Sequence, residues 1–233
     1  PEPYKSSETL AVKKKRLAEY PKKWLGVVHE TFVQPFRSFI SAGNWQMLLS
    51  VIILFKAGDH IAKPMEGPFY LDLGFNKKDL AIAAKTFGFA ATILGAFLAG
   101  RLIKNENPLY SVAILGLIHT CSELGCFIHC LVGKSYIMLY LTSGTSNFTG
   151  GMLITAFISL LWKSCDTHYA TVQYAFLWSV SSIITKLYAC CGGIFASYLS
   201  WPEFFASACI TGIIATCTLL VLALKALGSV HKA

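Results

Sequence analysis

The stretch WQMLLSVIILFKAGDHIAKP, residues 45–64, decides the fold class of this chain. Its first ten residues carry no charge, and four ionisable side chains then follow within eight positions, namely Lys56, Asp59, His60 and Lys63. The whole chain of 233 residues is 55% hydrophobic and 14% charged, whereas a soluble domain is typically about 25% charged. Apolar runs of about 20 residues match the roughly 30 Å hydrocarbon core of a bilayer. The sequence therefore predicts an all-α membrane protein with several spans.

Six transmembrane helices are expected, separated by short polar connections. The predicted spans are 45–64, 79–101, 108–131, 136–162, 170–199 and 201–225. They form one transmembrane domain, preceded by a basic leader and followed by a short tail. The predicted bounds are 1–43 for the leader, 44–226 for the domain and 227–233 for the tail. Six spans divide into two triplets, and an odd number of spans per triplet requires the second to be inverted, so we expect two three-helix inverted repeats.

Basic residues are divided unevenly between the two ends of these spans. Of the 20 Lys and Arg residues, 13 fall at one end, eight of them in the leader, and only Lys77, Lys78 and Lys134 fall at the other. Since cytoplasmic loops carry the excess of basic residues, both termini are expected in the cytoplasm. The leader lacks the apolar region of a cleavable signal peptide. It is expected to lie on anionic lipid or to be a solvated linker, and not to bind nucleic acid.

Ionisable side chains inside the spans are the first candidates for function. Lys56, Asp59 or His60, and Lys63 follow helical spacing and should share one face. A charge at the bilayer centre costs at least about 2.5–3.5 kcal/mol, so this face should line a bundle interior or a wet cavity. Four lysines against two carboxylates give the intramembrane set a formal charge of +2, which suits a substrate with carboxylates. The set comprises Lys56, Asp59, Lys63, Lys85, Glu123 and Lys186.

A second polar interruption, TSGTSNFTGG at residues 142–151, lies in the fourth span. Small residues of this kind also pack helices together, and that reading stays open. Each interruption, however, opens one of the two triplets. Interrupted segments at corresponding positions of two repeats indicate a transporter's substrate site. The interruptions therefore predict a transport cavity, with Asn147 and Thr149 among its residues.

Enzyme and metal motifs are not found in the sequence. There is no Gly-x-Ser-x-Gly nucleophile elbow, no phosphate-binding glycine loop and no Cys-x-x-Cys spacing among the eight cysteines. His119 and Glu123 are four residues apart and could face one metal ion, but no second His-x-x-x-Glu pair supports them. Internal hydrogen bonding or proton handling is the favoured interpretation. We therefore expect neither an enzyme nor a metal or other cofactor.

Several motifs, in this order, resemble one known family. They are FKAGD (55–59), PFYLDLGF (68–75), AKTFG (84–88), NFTGGM (147–152) and CD followed by TVQYA (165–175). From QPFRSF onward the chain is similar to the second half of the AmpG-type muropeptide permeases of the major facilitator superfamily. The resemblance implies half of a twelve-helix carrier, in which the leader joins the two halves. It also implies proton-driven import of anhydro-muropeptides across the bacterial inner membrane.

The expected site follows from the intramembrane residues and this resemblance. Proton coupling is assigned to Asp59, His60 and Glu123. Substrate binding is assigned to Lys56, Lys63, Lys85, Asn147, Thr149 and Lys186. The expected partners are the lipid bilayer, an anionic glycopeptide substrate and an N-terminal six-helix half. A related acyl-nucleotide or organic-anion symporter and a non-transporting scaffold stay open, as does whether the chain is a fragment, a split half or a remnant.

Overall fold

A computed structural model describes residues 33–41, 43, 45–104 and 106–230, with the side chains of 227–230 excepted. Residues 1–32 of the predicted leader and 231–233 of the tail lie outside the described residues. The described part folds into α-helices with short connections, which confirms the all-α class. The helices are α1 Gln34–Ser41, α2 Trp45–Leu54, α3 Ala57–Asp72, α4 Lys77–Leu80, α5 Gly88–Leu102, α6 Pro108–Val132, α7 Tyr136–Lys163, α8 Ala170–Ala196 and α9 Trp201–Val230. A π-helical segment, Ala81–Phe87, joins α4 to α5.

Four helical segments in the described part are long and apolar enough to cross a membrane. They are Lys77–Leu102, Pro108–Val132, Ala170–Ala196 and Trp201–Ala226. The bent pair Gln34–Ser41 and Trp45–Asp72 gives a fifth if it is counted as one span. Helix α7 is long enough, but the hydroxyl-rich stretch at its centre lowers its hydropathy. The chain is therefore a multi-pass membrane protein, and the count of six spans stays a prediction.

The packing of the long helices repeats when the two triplets are exchanged. Helix α5 lies along α7, as α8 lies along α3. Helix α6 packs on α7, as α9 packs on α3, and α6 and α9 pack on each other. Exchanging α3, α5 and α6 for α7, α8 and α9 therefore returns the same set of most extensive helix pairs. This is the pattern expected of two three-helix repeats.

Glycines allow the closest helix approaches in both triplets. A Cβ atom at Gly151 of α7 would collide with the carbonyl oxygen of Thr92 on α5. A Cβ atom at Gly192 of α8 would collide in the same way with the carbonyl oxygen of Ile61 on α3. These are equivalent helix pairs under the exchange. Small residues at such positions let membrane helices approach until their backbones touch.

Contacts between connections divide them between two ends of the bundle. The hydroxyl of Ser38 on α1 donates to Oδ2 of Asp166, after α7, at 2.8 Å. At the other end, Nζ of Lys134, after α6, donates to the carbonyl oxygen of Gly74, after α3, at 2.5 Å. The end of the leader thus lies beside the connection after α7. The connections after α3 and α6 lie together, in agreement with the grouping that the basic residues predict.

The first predicted span differs from the structure at its end. We expected it to stop near Pro64, but α3 continues through Pro64 and Pro68 to Asp72. The interruption of the helix lies upstream instead, between Leu54 and Ala57. Prolines are tolerated inside membrane helices where neighbouring groups satisfy the freed carbonyls. Beyond the prolines, the side chain of Phe69, in the last turn of α3, is buried in the core.

Candidate functional site

The break in the first span lies at Lys56. This residue has φ 51° and ψ 31°, the left-handed region, and is the one non-glycine residue with positive φ among those described. Such a conformation costs about 1–3 kcal/mol and clusters at functional sites. Helix α3 restarts immediately after it, at Ala57. The Lys56 ammonium lies 2.5 Å from Oδ2 of Asp59, and both side chains are largely buried.

Behind this ion pair, three protonatable side chains from two helices converge. Nε2 of His119 on α6 lies 3.6 Å from Oδ2 of Asp59 on α3 and 3.5 Å from Oε1 of Glu123. The exposed fractions of Asp59, His119 and Glu123 are only 6%, 2% and 7%. One ligand-type atom from each lies within 4.8 Å of the other two, close enough to share a metal ion. Sequence spacing paired His119 with Glu123 but carried no signal that Asp59 would join them.

The ring of His119 is held by Thr149, one of the predicted substrate-binding residues. Nδ1 of His119 lies 2.9 Å from Oγ1 of Thr149, whose hydroxyl donates to the carbonyl of Thr145 at 2.8 Å. A hydroxyl that gives its single proton to a carbonyl accepts the next hydrogen bond, and we therefore assign the ring hydrogen of His119 to Nδ1. Thr149 is buried, and its hydroxyl contacts the imidazole ring of His119.

A second ion pair lies further along α3. Nζ of Lys63 lies 3.1 Å from Oε2 of Glu66 and 3.2 Å from its Oε1. Nζ of Lys63 also donates to the hydroxyl of Ser146 on α7 at 3.4 Å, and that hydroxyl donates to Oε1 of Glu123 at 3.1 Å. Ser146 thereby connects the two ion pairs. Neither Glu66 nor Ser146 was among the site residues expected from the sequence, although the three-residue spacing of Lys63 and Glu66 is a signal for a helical ion pair.

The charge of this connected cluster differs from the expected +2. Two lysines, Lys56 and Lys63, meet three carboxylates, Asp59, Glu66 and Glu123, so with neutral histidine the formal charge is −1. The difference arises from Glu66 and from two lysines that the structure places elsewhere.

Those two lysines are Lys85 and Lys186. Lys85 is exposed on the π-helical segment and Lys186 is exposed on α8. Neither forms an ion pair with a carboxylate in the part of the chain that the structure describes. The six-residue intramembrane set therefore does not form one cluster.

An open groove runs beside the cluster. It encloses about 590 Å³, part of which is continuous with the surroundings. One wall comes from α3, with Lys56, His60 and Lys63, and another from the centre of α7, with Asn147. The side-chain amide of Asn147 donates to the carbonyl of Ser143 at 2.7 Å. The two polar interruptions of the sequence thus line one groove.

The chain is similar in sequence to proteins that are named as transporters. No family model matches it. The protein named "Putative transporter AmpG 2" of Rickettsia felis is 31% identical over 176 residues, which are 76% of this chain and 43% of the relative. The protein of the same name in Rickettsia bellii is 31% identical over 77% of this chain and 44% of its own length. "Putative transporter AmpG 1" of Rickettsia prowazekii is 30% identical over 76% of this chain and 39% of its own. The chain spans less than half the length of these relatives.

Proposed function

Because the chain is a homologue of the AmpG transporters over 76% of its length, we propose that it forms one six-helix half of a proton-coupled importer of anhydro-muropeptides. The names of the relatives support transport. The substrate class rests on the motif resemblance, and the coupling ion rests on the buried cluster. The other six helices would come from a further segment or partner, as the N-terminal half of the carrier.

One observation carries the proposal: two polar interruptions line a single groove beside a buried cluster that holds one carboxylate in excess. An unpaired buried charge is expensive, so a proton that neutralises the third carboxylate is the smallest cation the cluster can take up. Asp59 and Glu123 are the proposed proton sites. His60, on the groove wall, is the proposed route between them and water.

Substrate carboxylates have donors along the same groove. The Lys63 side chain is 41% exposed, so its ammonium can meet a ligand while Glu66 stays nearby. Asn147 and Lys56 add an amide and a second cation. Lys85 and Lys186 lie outside the groove, and we propose that they meet substrate where the other half completes the path.

The proposed location is the bacterial inner membrane, with both termini in the cytoplasm. The uneven distribution of basic residues supports this orientation. An impermeant maleimide should label a single cysteine at Asn76 and spare one at Thr167 in intact cells whose outer membrane is permeabilised. Labelling at Thr167 with protection at Asn76 would reverse the orientation.

Uptake by membrane vesicles that contain both halves tests the carrier itself. Labelled anhydro-muropeptide should enter saturably and only with a proton gradient. Lys63→Gln should weaken uptake of the anionic muropeptide at least tenfold more than uptake of a neutral sugar analogue, while Lys78→Gln, outside the groove, should change neither. Absence of uptake in a folded complex would favour the scaffold. Stronger competition by acyl nucleotides or other organic anions would favour the related symporter.

A further inference from the structure

We infer that Asp59, His119 and Glu123 form a binding site for one divalent transition-metal ion of the Zn²⁺ class, which takes the place of the Lys56 ammonium on Asp59. Such a site goes beyond the proposed transport function and does not depend on it. The ligand atoms would be Nε2 of His119 and one carboxylate oxygen from each acid.

The direction of the His119 lone pair favours a bound metal ion. Because Nδ1 donates to Thr149, Nε2 presents its lone pair to the oxygens of Asp59 and Glu123 at 3.6 and 3.5 Å. Those separations exceed the roughly 2.7–3.2 Å of an N–H···O hydrogen bond. Nε2 of His119 and Oδ1 of Asp59 are buried without a hydrogen-bond partner. A lone pair facing two carboxylates is unfavourable unless a proton or a metal ion lies between them, and the spacing of the atoms fits a metal ion.

The spacing of the ligand atoms also fits a Zn²⁺-class ion. Zn²⁺ binds histidine nitrogen and carboxylate oxygen at about 2.0–2.2 Å, so two ligands of a tetrahedral ion lie about 3.4 Å apart. The observed distances of 3.5 and 3.6 Å are close to that value. Since no pair of the three atoms exceeds 4.8 Å, small side-chain rotations complete the site.

Hydrogen bonds from a neighbouring helix hold two of the three ligands in place. A metal-binding histidine usually donates its other ring N–H to a fixed acceptor, and the ligating carboxylates are themselves hydrogen-bonded. Here Oγ1 of Thr149 holds Nδ1 of His119, and the hydroxyl of Ser146 donates to Oε1 of Glu123. Both supports come from α7, while the three ligands come from α3 and α6.

The types of ligand atom determine which metal ions the site would favour. The charge of the site identifies the Lys56 ammonium as the cation that competes with the metal ion. An imidazole nitrogen favours Zn²⁺, Co²⁺ or Ni²⁺ over Mg²⁺ and Ca²⁺, which prefer oxygen ligands. The ammonium of Lys56 already lies 2.5 Å from Oδ2 of Asp59 and borders the open groove. A divalent ion beside that ammonium would repel it into the groove. The metal ion and the Lys56 ammonium therefore compete for the carboxylate of Asp59.

Co²⁺ titration of the full 233-residue chain in lipid nanodiscs tests the site. We expect one ion per chain, visible ligand-field absorption without the intense near-ultraviolet bands of cobalt–thiolate bonds, and displacement by Zn²⁺ but not by Mg²⁺ or Ca²⁺. Asp59→Asn and His119→Gln should each weaken binding at least tenfold. Glu106→Gln, which changes an exposed carboxylate outside the cluster, is the control and should leave affinity unchanged.

Lys56→Asn tests the site even if the ligand variants fail to fold. Because it removes the competing ammonium, it should tighten Co²⁺ binding about tenfold or more. Asparagine tolerates the left-handed backbone of this position. Absence of Co²⁺ binding in both the wild type and Lys56→Asn overturns the site, as does binding that Asp59→Asn leaves unchanged. Either result leaves the outcome of the muropeptide uptake experiment unaffected, so the two failures are distinguishable.

Discussion

Lys56 and Asp59 show how far single residues could be predicted. The sequence indicated that FKAGD is functional, because ionisable side chains interrupt an apolar run, and spacing placed them on one face. It contained no signal for the left-handed backbone at Lys56, since that region normally selects Gly, Asn or Asp. It also could not show that Asp59 meets His119, because that contact depends on how α3 and α6 pack. Local spacing was predictable, and the partners across helices were not.

The buried ion pair predicts a strong coupling between Lys56 and Asp59. Asp59→Asn leaves an unpaired ammonium in a largely buried position, which should lower the free energy of unfolding by about 3–5 kcal/mol. In the double variant Lys56→Asn/Asp59→Asn most of that loss should return, because both charges are gone. Urea unfolding in mixed micelles measures each variant.

The pair Lys63 and Glu66 is the matched control for this cycle. The Lys63 side chain is 41% exposed, so the coupling between Lys63→Gln and Glu66→Gln should stay near or below about 1 kcal/mol. If the losses for Lys56 and Asp59 simply add in the double variant, the pair is not coupled and the account of this site is wrong.

At the scale of helices, the long apolar segments were predictable and their irregularities were not. Length and hydropathy gave the bounds of α6 to within one residue of the expected 108–131. The π-helical segment Ala81–Phe87 was missed because its sequence, AIAAKTF, reads as ordinary helix. Its wide turn leaves the carbonyl of Ala83 accepting a hydrogen bond from Ser143 of α7 at 2.9 Å. A contact with a neighbouring helix, invisible in local sequence, accompanies the irregularity.

Two adjacent glycines on α8 test the close approach to α3. Gly192→Ala should destabilise the protein by about 1–3 kcal/mol, because its new methyl group meets the backbone of Ile61. Gly193→Ala is the control, since nothing lies within 4 Å of its Cβ position, and should leave stability unchanged or slightly higher. Melting temperatures in one detergent compare them. Equal melting temperatures for both variants would contradict the packing of α3 on α8.

At the scale of the whole molecule, repeated helix packing is accompanied by a large exposed apolar surface. The packed helix pairs repeat under exchange of the two triplets, as the odd number of predicted spans per triplet suggested. Helices α5 and α8 nevertheless leave many large apolar side chains exposed, among them Phe89, Phe97 and Leu187. Lipid, or the other half of the proposed carrier, would cover these side chains. Sequence patterning cannot distinguish the two, because both surroundings favour apolar residues.

The central claim is that Asp59 couples the proton gradient to transport, and Asp59→Asn tests it most directly. In vesicles that contain both halves, with equal amounts of membrane-inserted protein, two rates are measured: uptake of labelled muropeptide driven by a proton gradient, and exchange of substrate down its own gradient. An amide cannot take up and release the proton, so the account predicts that gradient-driven uptake is lost while exchange continues. Gradient-driven uptake equal to that of the wild type would contradict it.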